Sequence, residues 1–246
     1  MSEQRALVTG GSRGIGRAIA LALSASGHQV TIMGRSEKTL AQAVAEGVAR
    51  RSFAVDVTDE AALRQAVTDS GPYHVLINNA GAAESAPLAA TDLALVRRMM
   101  AVNLESAFTA SRAALPGMIK LGTGRIVNVA SIAGLKGYAY VSAYCAAKHA
   151  VIGMTKALAA ELVKTSITVN VLCPGYTDTD LIANAADAIA RKTGRAADEA
   201  IDVFAKTNPS GRLITPEEVA NAALWLCSEG ASAVTGQAIT IAGGDP

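Results

Sequence analysis

Ala6-Leu7-Val8-Thr9-Gly10-Gly11-Ser12-Arg13-Gly14-Ile15-Gly16 runs a short apolar strand pattern straight into a glycine-rich turn that opens a helical one. Glycines allow a tight turn and let a ligand approach the backbone closely, and the N-terminus of the helix that follows offers unpaired N–H groups to a pyrophosphate. A glycine-rich loop by itself is often only a turn. Between a first strand and a first helix it reads as a nucleotide-phosphate cradle. The spacing is TGxxxGxG, not GxGxxG.

Outward from this turn, apolar strand-like runs alternate with helix-length segments. After the helix from Gly14 to Gly27, strands are expected at Gln29–Met33, Ser52–Val55, His74–Ile77, Arg125–Val129, Ile167–Leu172 and Ala238–Ile241. Helices are expected over Glu37–Val48, after a Thr58-Asp59 cap, along Leu93–Lys120 and from about Ala143 to Lys164. Strands this apolar, separated by helices, favour a parallel sheet covered on both faces. The fold class is therefore α/β, a doubly wound parallel sheet of the Rossmann type. No linker or repeat divides the chain, so residues 1–246 are read as a single dinucleotide-binding domain. One stretch, 180–208, breaks the rhythm with two amphipathic helical patterns, Leu181–Lys192 and Ala196–Lys206, joined by Thr193-Gly194-Arg195. Its position beyond the sixth strand and its small, Ala-rich apolar faces favour a helical lid over a substrate; a hairpin completing the core is the alternative.

Bulk properties set limits. A net charge of +1 gives no electrostatic footprint for nucleic acid. No apolar run approaches the ~20 residues of a membrane helix, and Met1–Arg5 has no signal-peptide architecture. The three cysteines, Cys145, Cys173 and Cys227, are far apart with no metal-binding spacing, as expected of reduced thiols in a cytoplasmic protein with no metal site.

Tyr144 and Lys148 sit four residues apart, and Tyr144 follows Ser131 by thirteen. Residues i and i+4 share a helix face, which puts an ammonium near a phenol. A phenol titrates near pH ~10, and a fixed cation beside it would lower that value toward neutrality. Ser131 could add a hydroxyl that polarises a carbonyl. Alone, a Tyr and a Lys at this spacing are more often an ordinary helix surface.

Taken together, the motifs resemble the short-chain dehydrogenase/reductase family along nearly the whole chain. The matching features are Thr9 to Gly16, Asp56-Val57, Asn78-Asn79-Ala80-Gly81, Asn103, Ser131, Tyr144 with Lys148, Pro174-Gly175, Val234-Thr235-Gly236-Gln237 and Gly243-Gly244. The resemblance implies hydride exchange between a nicotinamide and a carbonyl carbon, with Asn103, Ser131, Tyr144 and Lys148 as the catalytic set. Tyr144 would exchange the proton, Lys148 would hold the nicotinamide ribose and lower the Tyr144 pKa, Ser131 would orient the substrate oxygen, and Asn103 would help hold a water-linked relay to Lys148. The implied cofactor contacts are Gly10, Ser12, Arg13, Gly14, Ile15 and Gly16 in the turn, Asp56 and Val57 at the adenine, and Asn79 beside the adenosine ribose. Tyr144, Lys148, Thr177 and Thr179 complete them, Thr179 at the carboxamide. Asn78 is read as structural, and Tyr138 and Tyr140, with no lysine four residues on, as pocket lining.

At the end of the second strand stand Gly34 and Arg35, where an NAD-specific site commonly carries a carboxylate. A guanidinium can pair with a 2′-phosphate, and Arg13 supplies a second cation, so NADP(H) is favoured over NAD(H). The expected reaction is reduction of a ketone, a 3-oxoacyl thioester or related carbonyl, by a homotetramer. The alternatives are an NAD(P)-dependent hydroxyacyl-CoA or secondary-alcohol dehydrogenase, and a non-catalytic nucleotide-binding sensor. Gly122 and Thr165 stand where bacterial acyl-carrier-protein reductases often have docking arginines, which weakens a carrier-protein role. The lid, about ten residues longer than theirs, resembles that of polyketide ketoreductases and acyl-CoA dehydrogenases and suggests a bulkier or differently shaped substrate.

Overall fold

Seven strands form one wholly parallel sheet in the computed structural model, which describes residues 4–193 and 197–245. They are β1 (Arg5–Thr9), β2 (Gln29–Gly34), β3 (Arg51–Ala54), β4 (Val75–Asn78), β5 (Gly124–Val129), β6 (Ile167–Pro174) and β7 (Ala238–Ile241), in the order β3-β2-β1-β4-β5-β6-β7. Val8 of β1 lies between Ile32 of β2 and Ile77 of β4. Every residue of β4, β5 and β6 is buried, which is why these strands are mostly apolar with no in–out alternation, their few polar residues, such as Asn78, Asn128 and Asn170, being hydrogen-bonded inside.

Helices cover both faces. One side carries α1 (Gly14–Ala25), α2 (Glu37–Ala45) and α9 (Pro216–Cys227), whose Ile19, Leu23, Leu40, Val219 and Leu226 join Val8, Ile32 and Ile77 in one core. The other side carries α3 (Glu60–Ser70), α5 (Ser106–Leu121) and α6 (Ser142–Glu161), whose Leu63, Val67, Met118 and Ala159 pack on Leu7, Leu76 and Val169. Each fully buried Leu or Ile of these layers contributes about 1.5–3 kcal/mol. Local chemistry sets the starts: Ser36, Asp59 and Asp92 each accept from a backbone N–H in the first turn of α2, α3 and α4 (Leu93–Met100).

Three features differ from the sequence reading. The stretch expected as one helix over Leu93–Lys120 is α4 and α5 joined by a wide, π-type turn at Ala101–Glu105. Helix α9 is absent from the sequence expectations, although Thr215-Pro216-Glu217-Glu218 is a capping box with proline at the first helical position. Helices α1, α2 and α6 stop at Ala25, Ala45 and Glu161, short of the expected ends. In the 180–208 stretch, α7 (Asp180–Thr193) and α8 (Ala197–Thr207) form and pack on one another. Of the expected joint, Gly194 and Arg195 lie outside the described residues, as does Ala196. No described helix is long and apolar enough to cross a membrane, and the described residues hold no cluster of metal-binding side chains.

The strand order reverses at β1, which has β2 on one side and β4 on the other. The loops after β1 and β4 therefore diverge and leave a crevice at the carboxyl ends of the strands.

Candidate active site

The glycine turn sits in that crevice. Gly10 holds φ at +66°, and a Cβ there would lie 2.9 Å from the Asn79 carboxamide nitrogen. A Cβ on Gly16 would collide with the Gly10 carbonyl and with the same carboxamide, so this close approach requires glycine. Asn79 builds the turn itself: its Nδ2 donates to Thr9 O at 3.0 Å and Gly10 O at 3.2 Å. Thr9 Oγ1 accepts from the N–H groups of Asn79 and Ala80, stitching the β1 and β4 loops together. Unlike α2, α3 and α4, α1 starts on Arg13, whose side chain makes no capping bond. The first-turn N–H groups of α1 thus suit an anion, and the turn fits a dinucleotide pyrophosphate.

The ends of β2 and β3 form the neighbouring surface. Asp56 Oδ1 accepts from Thr58 N at 3.0 Å and Thr58 Oγ1 at 2.8 Å. Those bonds, with a smaller contribution from the Arg35 charge, hold its carboxyl below the usual carboxylate range. Val57 is buried beside it. Arg13 and Arg35 are both exposed, a Cβ at Gly34 would stand 3.9 Å from Ser12 Oγ and 3.7 Å from the Leu40 side chain, and Ser12 Oγ accepts from Thr39 Oγ1. A carboxylate at position 34 would have opposed an anion here.

On the other side of the crevice, α6 carries Tyr144 and Lys148, and Ser131 follows β5. Lys148 Nζ lies 5.6 Å from the Tyr144 ring centroid and donates to Val129 O at 2.9 Å. The Ser131 hydroxyl accepts from Ala133 N at 3.1 Å and lies close enough to the Tyr144 phenol to favour its ionised form. Asn103 sits in the π-type turn, with Nδ2 donating to Ala82 O and Met99 O and Oδ1 accepting from Ala82 N. A side chain at Gly81 would lie 2.7 Å from Asn103 Oδ1 and 3.5 Å from Lys148 Nζ, so this glycine lets the two residues approach one another. The structure thus brings all four residues of the expected set together. It gives the Asn103 carboxamide the task of pinning the Gly81–Ala82 segment.

One expectation is corrected. The lysine is expected to pull the phenol pKa down, but burial pushes Tyr144 up to about 12, opposed by Ser131, and Lys148 is not among the groups that shift it. Burial likewise brings Lys148 down to about 8. A side chain enclosed by protein loses hydration that favoured its charged form, and both groups respond toward neutrality. Behind them a buried chain fixes the sheet and α6: Asn78 Nδ2 donates to Asn128 Oδ1, and Asn128 Nδ2 donates to Thr155 Oγ1, both at 2.8 Å. Asn78 is structural, as read.

Tyr144 and Ser131 open onto a cavity of about 730 Å³. Tyr138 and Tyr140 line it, as expected, and so do Tyr176, Phe204 and Ile182, which sequence reading does not single out. Only the amphipathic spacing of α7 and α8 hints that Ile182 and Phe204 turn inward. Thr179 touches the cavity and lies against Gly14, linking it to the glycine turn. Thr177 also lines the cavity but is buried; its hydroxyl donates to Gly175 O at 3.0 Å, and the Thr179 hydroxyl donates in the same way to Thr177 O at 3.2 Å. Among the described lining residues Glu84 alone is charged, and Arg98 holds it at 3.0 Å.

The chain matches the short chain dehydrogenase family over residues 4–190. It is 37% identical to D-beta-hydroxybutyrate dehydrogenase of Cupriavidus necator, covering 99% of this chain and 98% of that enzyme. Among solved structures it resembles a single-residue variant of actinorhodin polyketide ketoreductase with NADPH, at a TM-score of 0.91 and 36% identity, over 98% of this chain and 97% of that one. Levodione reductase aligns at a TM-score of 0.92 and 30% identity, over 98% and 96%. With a parallel sheet, a glycine turn at the strand-order reversal and this breadth of match, the chain belongs to the short-chain dehydrogenases, enzymes that act on hydroxyl and carbonyl groups.

Proposed function

We propose that this enzyme is an NADP(H)-dependent reductase converting a ketone, a 3-oxoacyl thioester or related carbonyl, to a secondary alcohol. The observation that carries the reading is the meeting of Ser131, Tyr144 and Lys148 at an apolar cavity beside the glycine turn. When bound, the nicotinamide supplies the hydride that adds to the carbonyl carbon. Tyr144, whose phenol is protonated at neutral pH, gives its proton to the carbonyl oxygen. Ser131 orients that oxygen, Lys148 holds the nicotinamide ribose, and Asn103 fixes the backbone around Lys148. Gly10, Ser12, Arg13, Gly14, Ile15 and Gly16 receive the pyrophosphate, and Asp56, Val57 and Asn79 border the adenosine. Thr179 meets the carboxamide with the Thr177 backbone beside it.

The 2′-phosphate falls to Arg35 and Arg13, a choice supported by the lack of a carboxylate at Gly34 and by a related ketoreductase structure that carries NADPH. Arg35→Ala should reduce the preference for NADPH over NADH by roughly tenfold or more, the scale of one charge-assisted pair. An unchanged ratio of the two affinities removes this assignment.

The relationship to a hydroxybutyrate dehydrogenase supports a second reading, oxidation of a hydroxyacyl-CoA or secondary alcohol. The described cavity lining offers no cation to a free carboxylate, which favours a neutral ketone or thioester at the reacting end. NADPH oxidation against a panel of 3-oxoacyl thioesters, aryl ketones and quinones, compared with NADP⁺ reduction by the matching alcohols, separates the two. In the preferred direction Tyr144→Phe should lower kcat by about 10²–10⁴-fold with NADPH binding retained. Full turnover without that hydroxyl would rule out the mechanism. Within the single domain, the 180–208 hairpin serves as the substrate lid, and the enzyme works in the cytoplasm as a homotetramer. Light scattering checks the assembly, and a clean monomer would remove it.

A further inference from the structure

Asp245 is a buried carboxylate outside the cavity lining, 6% exposed. Its Oδ1 pairs with Lys136, and its Oδ2 accepts from the Tyr138 hydroxyl at 3.0 Å. A carboxylate is retained under cover where such donors hold it. Both donors come from the loop between β5 and α6, more than a hundred residues earlier in the chain. Lys136 Nζ also stands 5.5 Å from the Tyr138 ring centroid. The Tyr138 ring meets Tyr176 edge-on at 6.4 Å and 84°, and Tyr176 packs on Phe204 of α8 at 5.1 Å. These three rings line the cavity, whereas Asp245 and Lys136 are not part of its lining. The backbone leading to Asp245 is pressed against the turn that follows α8: a Cβ on Gly243 would run into Ser210, and one on Gly244 would touch Pro209.

We propose that Asp245 is a positioning residue for the substrate. Held between Lys136 and the Tyr138 hydroxyl, it fixes the Tyr138–Tyr176–Phe204 wall and ties the loop after β5 to the lid. It thereby sets the affinity for the carbonyl substrate. The same bond removes Tyr138 from proton transfer: its hydroxyl points at Asp245, and its ring faces the cavity. The inference rests on the reading of this cavity as the substrate site.

The test uses the full chain with NADPH bound. Asp245→Ala and Tyr138→Phe each break the same bond, so each should raise KM for the best ketone of the panel by about tenfold, with kcat and the Kd for NADPH little changed. The double variant should be no worse than either single one, because the two residues act as a unit. Asp245→Asn keeps an acceptor for the phenol and should restore most of the affinity. Independent penalties that multiply in the double variant, or a loss of NADPH affinity in step with the ketone, overturn the proposal. If no ketone is turned over, that failure belongs to the reductase reading. The clamp is then read from the ¹³Cζ resonance of labelled Tyr138, identified by its loss in Tyr138→Phe. It should move in Asp245→Ala and return toward its place in Asp245→Asn; an unmoved resonance in Asp245→Ala overturns the clamp.

Discussion

Lys148 bears its charge where burial works against it, and this tension makes a prediction. Its pKa, lowered from 10.5 to about 8, corresponds to roughly 3 kcal/mol favouring the neutral form in the folded protein. Between those two pH values the unfolded chain holds a proton that the folded one has released, so this residue's contribution to stability improves as pH rises from about 8 to 10.5. Lys148→Met should therefore be more stable than the parent at pH 7 by about 1–3 kcal/mol, less the bond to Val129 O, and the advantage should fade by pH ~10. Urea unfolding at the two pH values measures this. Activity should run the other way: kcat/KM for the ketone falls as pH passes about 8 and Lys148 loses its charge, which a pH–rate profile reads. The sequence makes the pairing of Tyr144 with Lys148 legible, since their spacing puts them on one helix face. It hides the direction of the phenol shift, because burial is set by β5, β6 and the lid, which contribute no signal local to Tyr144.

Among the elements, those with polar and apolar faces are the readable ones. Helices α7 and α8 announce themselves by periodicity, and β1 by its abrupt passage into glycine. Helix α9 escapes a sequence reading because its inward face, Val219, Ala220, Ala223, Leu226 and Cys227, shares a short segment with further apolar residues, Ala222 and Leu224, so no clean stripe stands out. Its start carries more information than its face: Thr215 accepts from Glu218 N, while Glu218 accepts from Thr215 N at 2.8 Å. Thr215→Ala should cost about 1 kcal/mol, seen as a lower urea midpoint with unchanged slope. The π-type turn is invisible for a different reason. Ala101–Glu105 has an ordinary helical composition, and the contact that distinguishes it is tertiary: Asn103 is bound to the β4 loop through both the N–H and the carbonyl of Ala82.

On the scale of the whole molecule, the sheet order places residues distant in sequence at one crevice. Gly10, Asn79, Ser131 and Thr179 come from the loops after β1, β4, β5 and β6, and a parallel sheet aligns all four loops at the same edge. Their spacing along the chain therefore encodes the site once the alternation is recognised. Asp245 does not follow from that rule, since its place depends on where the segment beyond β7 packs. The pairing of α1 with α9 has a consequence for synthesis. The apolar face of α1, with Ile19 and Leu23, is covered by residues 216–227. Some 190 residues separate the two helices, and at about 5–20 residues per second a growing chain keeps that face uncovered for roughly 10–40 s. A nascent chain of this protein is sticky for most of its time on the ribosome, and its need for a holding chaperone should end only when α9 emerges.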